Sequence, residues 1–505
     1  MSSTFPGPSG YMPEPPVTGM PAGDEVPSSR IFSLDVLRGI ALLGILIVSI
    51  WEFGGFSNNQ QTFYRTGTHG GNYNLLSFVT IFFEGKMRAL FSIVFGACII
   101  LYISKKDHPL NASVPDLYIR RMLWLMIFGI FNAIVLLWPG DILFHYAVLG
   151  ILLFPFWRMR PNSLFIAAFV TTLIYCGKTY WNYADDRKVY KKYTTVTAIE
   201  KKFAAADTPT KKRIDSLIRI KRNDPLSNFL ADDTLLKRHK NDTLTKQQAK
   251  DKQAWEGLVK GLKYDSTGDD GPRKAMRSNN YAKVWNHLLG RSQNNESYWL
   301  YRTGIWDIGS MMLLGMALLG FGFFSQRFPV KKLLLIVISC VIAGLALACF
   351  RNYQENIKLG DYAKYIDKMV VPFDQFFPIE RFMLAIGYAG LIILLLNTGL
   401  MKWLWRVLAT IGRMAFTNYF MQTILCTVFF YGYGMGYFGR LSQLQLYGVV
   451  LEVWLVQIVF SVIWSRFFVM GPVEWLWRSL VYREKQPFRK KEAVTPLAGT
   501  PANTN

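Results

Sequence analysis

Cysteine is scarce in this chain. The 505 residues contain five, Cys98, Cys176, Cys340, Cys349 and Cys426, each inside an apolar block and none at metal-ligand spacing, so no disulfide framework or zinc site is readable. The redox compartment stays open. Signature motifs are missing as well: there is no P-loop, Rossmann fingerprint, HExxH, GxSxG or Cys/His metal cluster. Their absence argues against an ATP-driven pump, a nucleotide-dependent redox enzyme and a classical hydrolase. Acidic residues are few, 34 against 57 Lys and Arg, giving a net charge of +23. In a chain that is 51% hydrophobic and 15% aromatic, that excess reads as basic loops held on an anionic leaflet and not as a nucleic-acid surface.

Long hydrophobic runs are abundant. Apolar blocks cover 36–54, 75–103, 119–138, 140–157, 162–180, 304–324, 333–350, 380–398, 414–432 and 446–469. The fold class that follows is all-α, a polytopic transmembrane helical bundle of about ten spans with a soluble extracytoplasmic insertion. The second block is long enough to be tilted or broken near Gly85. Every second connection is basic: Lys105, Lys106, Arg120 and Arg121, then Arg158 and Arg160, then Arg327, Lys331 and Lys332, then Lys402 and Arg406. With the basic C-terminal tail, this pattern places both termini in the cytoplasm and implies an even number of spans.

The chain divides into a Pro-, Gly- and Ser-rich tail over 1–30, a first membrane half over 31–180, a polar insertion over 181–300, a second membrane half over 301–482 and a tail over 483–505. The N-terminal tail lacks the basic start and short apolar core of a cleaved signal peptide. The insertion, with stretches such as "KKFAAADTPTKKRIDSLIRIKRND", reads as a small helical or partly disordered domain outside the cytoplasm. Its function is unreadable.

Charge at the edge of hydrocarbon is costly, so it marks candidate sites. On the expected inner face, Asp35 and Arg38 open span one in "SLDVLRGIALLGILIVSI", Arg413, Thr417 and Asn418 open span nine, and Glu474 and Arg478 follow span ten. Taken singly these are interfacial anchors and local ion pairs. Together, arginines and helix N-termini suit the anionic oxygens of a phosphorylated donor. Glu84, Lys86 and Arg88 lie well inside the second apolar block, and read either as a pairing that fixes helix packing or as a polar path. Toward the outer face, Asp141 and His145 stand four apart, the offset at which a carboxylate on one helical turn orients an imidazole for general-base work; the plainer reading is a packed histidine. His69 lies in a glycine-rich outer loop, while Asp307 opens span six and Glu380 with Arg381 opens span eight.

The ordered set "SLDVLRGIALLGILIVSI", "GKMRALFSIVFGACI", "GDILFHYAVLG", "MMLLGMALLGFGFF", "GRMAFTNYFMQTIL" and "GPVEWLWRSLVY" resembles the YeiB-like family of bacterial inner-membrane proteins, whose C-terminal region is a domain of unknown function. The resemblance covers nearly all of the membrane part and neither the N-terminal tail nor the insertion. Ser49 departs from it, standing where many members have asparagine. The family is grouped with transmembrane acyltransferases, which include heparan-α-glucosaminide N-acetyltransferase with its similar SLDxxRG opening. The resemblance implies transfer of an acyl group from cytosolic acyl-CoA to an extracytoplasmic sugar, with no resident cofactor. Its partners would be the lipid bilayer, the acyl-CoA and a glycan.

In that scheme Asp35, Arg38, Arg413, Asn418, Glu474 and Arg478 bind the donor, and Glu84, Lys86 and Arg88 line the path. Asp307, Glu380 and Arg381 face the acceptor. An outer histidine is the base: either His145 beside Asp141, or His69, which alone occupies the place of the essential histidine in the heparan-acetylating relatives. The rival class is a transporter or exporter of a small anionic or amphipathic solute, with the intramembrane charges as its binding or proton sites. A third is a non-catalytic membrane assembly or sensor protein.

Overall fold

The computed structural model describes residues 31–55, 70–104, 113–205, 244–262, 270–325 and 328–490. These residues are mostly helical, joined by short turns, and the bridging between strands is limited to one isolated antiparallel bridge between Phe468 and Arg489 among the described residues. In chain order the helices of the first half are α1 (Phe32–Phe53), α2 (Gly71–Phe82), α3 (Lys86–Ile103), α4 (Val114–Ile134), α5 (Leu143–Leu153) and α6 (Pro161–Ala205). Next come α7 (Lys246–Leu262), α8 (Asp270–Met276) and α9 (Tyr281–Asn294), the last leading through a π-helical stretch, Asn295–Gly304, into α10 (Ile305–Gly320). The remainder are α11 (Val330–Gly360), α12 (Tyr362–Lys368), α13 (Phe377–Asn397), α14 (Lys402–Arg413), α15 (Ala415–Phe430), α16 (Gln443–Phe467) and α17 (Pro472–Tyr482).

Eight helical stretches among the described residues are long and apolar enough to cross a bilayer, and two shorter apolar ones, Leu143–Arg158 and Ala415–Phe430, accompany them. Together they account for the apolar blocks expected from the sequence. The second block is indeed broken at Gly85, whose φ of 73° lies in the left-handed region that glycine enters without strain. The break ends α2 and turns the chain into α3, so that Glu84 and Lys86 flank a corner.

α1 is the central helix and touches α3, α14, α15 and α16. Between helices in hydrocarbon there is little hydrophobic drive, so packing depends on how closely backbones approach. Two crossings show this. A Cβ on Gly412 of α14 would stand 1.8 Å from the carbonyl oxygen of Asp35, and one on Gly315 of α10 would stand 1.9 Å from that of Ile93 on α3. Only glycine fits at either place. α15 and α16 are instead joined by polar groups: Asn418 Nδ2 donates to Ser461 Oγ at 3.0 Å, Gln457 Nε2 to the Asn418 carbonyl at 2.8 Å, and Gln422 Nε2 to Gln457 Oε1 at 3.1 Å.

The expected boundary at residue 180 is not a structural break. α6 runs unbroken to Ala205, because nothing in "TYWNYADDRKVYKK" stops a helix and its polar part is packed. Trp255 of α7 lies 4.7 Å from the ring of Tyr190 on α6 and stacks on Tyr362 of α12 at 5.6 Å. Tyr190 and Tyr362 also donate to Asp367 and Asp186, at 2.8 and 2.7 Å. The insertion therefore shares a small aromatic core with the α11–α13 connection. Its segment "IDSLIRI" lies outside the described residues.

Candidate functional site

A cavity of about 190 Å³ lies between α1, α3, α4, α5, α15 and α17. At the end of the bundle where α1 begins, it gathers Arg38, Arg121, Arg413 and Arg478, with Glu474 beside them. Farther in, its walls are Leu42, Phe91, Phe95, Leu125 and Leu143, and it reaches Tyr146 and Tyr419. A cluster of guanidinium groups at one end and hydrocarbon along the length suits a ligand with an anionic head and an apolar chain.

Three of these arginines are held by named neighbours. Arg38 Nη1 pairs with Asp35 Oδ1 at 3.1 Å across one helical turn, as the sequence offset requires. Its Nη2 donates to Cys98 Sγ of α3 at 2.9 Å. Arg121 lies over the ring of Trp477 at 4.0 Å and near that of Tyr102 at 4.9 Å, held by aromatic faces that attract a cation. Arg413 Nη2 donates to Thr410 Oγ1 at 2.8 Å at the end of α14. Four of the six residues expected to bind a donor therefore line the cavity, and Asp35 stands behind Arg38.

Two expectations fail here. Asn418 is fully buried and spends its side chain and carbonyl on Ser461 and Gln457, away from the cavity. The N-terminus of α15, expected to be open to an anion, is closed by the chain's own Glu474. That carboxylate accepts from the backbone N–H of Phe416 at 2.7 Å and of Thr417 at 3.0 Å, and from the Thr417 hydroxyl. Glu474 caps a helix, and the cationic groups left at this end of the cavity are the arginines.

At the opposite end of the bundle the remaining charges form a buried network. Lys86 Nζ meets Glu380 Oε1 at 2.5 Å and donates to the Thr80 carbonyl at 2.8 Å. Arg351 Nε reaches Glu380 Oε2 at 2.8 Å and its Nη2 reaches Glu84 Oε2 at 3.3 Å. Arg381 grips Asp307 with two nitrogens, at 2.6 and 2.8 Å, and Arg88 Nη2 joins the same carboxylate at 2.9 Å. Phe377 is wedged between Arg351 and Arg381, each 4.4 Å from its ring centre. Glu84, Lys86, Asp307, Glu380 and Arg381 thus tie α3, α10, α11 and α13 together. Arg88 alone of the expected path residues keeps a third of its side chain exposed.

The Asp141–His145 dyad does not form. α5 begins at Leu143, so Asp141 precedes the helix and the offset of four does not bring its carboxylate to the imidazole. Asp141 accepts instead from Phe144 N at 3.0 Å, Asn132 Nδ2 at 2.8 Å and the Tyr419 hydroxyl at 3.2 Å. It thereby fastens the start of α5 to α4 and α15. His145 turns to the other side, its Nε2 3.0 Å from the Asn295 carbonyl and its ring edge-to-face with Trp299 at 5.1 Å. A carbonyl only accepts, so Nε2 carries the proton and Nδ1 is the basic nitrogen. Nδ1 is buried and makes no hydrogen bond of ordinary geometry among the described residues, although the backbone of Asp141 lies near the ring. His69 lies outside the described residues.

Tyr146, adjacent to His145 in sequence, faces the cavity, where its hydroxyl shares a hydrogen bond with Ser92 Oγ at 2.8 Å. Arg121, Arg351, Tyr146 and Tyr419 were not singled out from sequence as site residues. The signal was present for the tyrosines, since a phenol inside an apolar helix needs a polar partner. Arg121 reads from sequence only as a basic loop residue, and Arg351 as the end of an apolar run.

The fold and cavity define a class: an all-α, polytopic membrane protein with an amphipathic cavity opening among arginines at one end and a buried ionic network toward the other. Residues 318–484 match the family described as "Protein of unknown function (DUF418)". Across nearly its whole length the chain is similar to two proteins whose names carry no activity. It is 27% identical to "Uncharacterized protein YxaH" of Bacillus subtilis (strain 168), over 92% of this chain and 98% of that one. It is 26% identical to "Uncharacterized protein YeiB" of Escherichia coli (strain K12), over 91% and 98%. A third relative, "Uncharacterized 39.9 kDa protein in amylase 3'region" of Bacillus acidopullulyticus, is 23% identical over 92% and 97%. The chain is thus similar to YxaH and YeiB along nearly its whole length and carries the matched family's region in its C-terminal half. No solved structure matches it.

Proposed function

We propose that the chain is an integral-membrane acyltransferase that takes an acyl group from a phosphorylated thioester donor, acyl-CoA, and delivers it to a sugar hydroxyl or amine at the opposite end of the bundle. The observation that carries this reading is the cavity's polarity. Four arginines at one end suit the donor's phosphates, and the Phe91, Phe95 and Leu125 walls suit its acyl chain. Tyr146, where the cavity ends, is adjacent in sequence to His145, whose Nδ1 makes no hydrogen bond of ordinary geometry among the described residues.

In the transfer step the acceptor hydroxyl attacks the thioester carbon and gives up its proton to a base; His145, which lies behind Tyr146 and outside the cavity's lining, takes that role only when the acceptor opens a way to its buried Nδ1. The C–S bond breaks as the C–O bond forms, and the released thiolate takes up a proton. The basic connections orient the protein in a bacterial inner membrane with the arginine end and both termini cytoplasmic. On this topology the donor enters from the cytosol and the acceptor lies outside it.

The test is calorimetric binding of acetyl-CoA and octanoyl-CoA to the detergent-solubilised protein, with Arg413→Ala and Arg478→Ala beside it. Saturable binding, weakened in both variants, supports the reading. Absence of binding to folded wild-type protein contradicts it. The rival reading, a transporter of a small anionic solute, draws on the same arginines and is favoured if solute crosses vesicles independently of any acyl-CoA.

A further inference from the structure

A second concavity, a groove of about 470 Å³, lies between α4 and α17 outside the cavity just described. It is lined by Arg120, Trp124, Trp475, Ser479, Arg483 and Lys485, with Glu484 as its one carboxylate. The cations are held over it by a fold-back of the chain. Arg483 closes α17 in the left-handed conformation, with φ 55°. Trp475 Nε1 then donates to the Gln486 carbonyl at 2.9 Å, which returns the segment after α17 alongside the helix. Arg120 Nη1 reaches the Val481 carbonyl at 3.4 Å from the α4 side.

Below the groove, α4 continues as an apolar stripe. Arg120, Trp124, Ile127 and Phe131 recur at offsets of four, three and four, which keeps them on one helix face. Ile127 is 50% exposed and Phe131 44% exposed. A basic pocket with indole rings at its rim, set directly above lipid-facing hydrocarbon, is the arrangement that holds a phosphate head while the tails lie along the helix.

We infer that this groove is a binding site for the headgroup of one anionic phospholipid, whose acyl tails run down the Ile127–Phe131 stripe of α4. The site is independent of the acyltransferase reading, since none of its lining residues borders the cavity. It stands on the chain's crossing a membrane and on the match between the groove's charge and a lipid phosphate.

Native mass spectrometry of the detergent-purified protein tests it, with phosphatidylglycerol and phosphatidylcholine of identical acyl chains as probes. Arg483→Gly with Lys485→Ala is the variant of choice: glycine is the residue a left-handed helix end prefers and Lys485 is exposed, so the fold is kept. Lys331→Ala with Lys332→Ala, two exposed cations elsewhere, is the control. The expected result is a phosphatidylglycerol adduct on wild type and control, at least about tenfold weaker in the groove variant, as the loss of two cations near a membrane phosphate implies. Phosphatidylcholine should be retained poorly by all three. Equal retention of the two lipids, equal loss in variant and control, displacement by millimolar inorganic phosphate, or a change in oligomeric state confined to the groove variant each overturns the assignment.

Discussion

Glu474 on α17 caps α15 from outside, its carboxylate 2.7 Å from the backbone nitrogen of Phe416. One acidic side chain thus joins a short amphipathic helix at the rim of the cavity to the helix that forms the cavity's wall. Glu474→Ala removes an acceptor from two buried N–H groups and a hydroxyl. The expected cost is about 1–3 kcal/mol, read as a fall in the detergent unfolding midpoint. Glu474→Gln, which keeps one acceptor oxygen, should recover part of it.

The backbone crossings predict a sharp contrast among glycines. Gly412→Ala places a methyl group 1.8 Å from the Asp35 carbonyl oxygen, and Gly315→Ala places one 1.9 Å from that of Ile93. Both should reduce the yield of folded protein, since neither helix can part without losing its neighbours. Gly177→Ala, which meets nothing within 4 Å, should be tolerated. Size-exclusion profiles of the three variants check this directly.

The ionic network predicts non-additivity. Asp307→Leu alone strands Arg381, 1% exposed, without its paired carboxylate, a loss of about 3–5 kcal/mol by the usual measure of a broken buried pair. Asp307→Leu with Arg381→Met should restore most of that stability. Arg88, a third exposed, can turn toward solvent in the double variant. Equal midpoints for the single and double variants would show that the pair is not coupled.

The separation of Asp141 from His145 predicts different phenotypes for the two. Asp141→Asn weakens the anchoring of α5 and should lower the unfolding midpoint. Acyl transfer per folded molecule should stay close to wild type. His145→Gln removes a buried ring packed on Trp299 and should lower the midpoint somewhat, leave acyl-CoA binding by the folded protein nearly unchanged and cut kcat per folded molecule by about a hundredfold or more, as expected when a general base is removed. A working dyad would instead make the two variants alike in kcat.

How far the sequence reaches depends on the range of the interaction. The apolar blocks, the break at Gly85 and the Asp35–Arg38 turn were legible because each is decided within a few residues. The convergence of Arg38, Arg413, Glu474 and Arg478 was legible because all lie at one end of their spans. The roles of Asn418 and Glu474 were not. A polar residue at a span's start looks the same whether it faces a ligand or another helix, and only the packing of α15 on α16 and α17 decides. The Asp141–His145 offset misled because it assumes a helix already begun at Asp141, whereas that residue sits ahead of it. Arg351 was hidden because its partners Glu84 and Glu380 are 267 and 29 residues away. The helix continuing past residue 180 was hidden because its polar half depends on Trp255, in another segment.

The central claim, that an acyl group enters at the arginine end and leaves at the other, is tested most directly in sealed inverted vesicles. Labelled acetyl-CoA is supplied outside and a candidate sugar acceptor is enclosed. Wild-type vesicles should accumulate labelled sugar in the lumen, and vesicles with Arg413→Ala and Arg478→Ala should not. Intact, unmodified solute crossing at equal rates with and without acetyl-CoA, in vesicles whose protein is folded, would contradict acyl transfer.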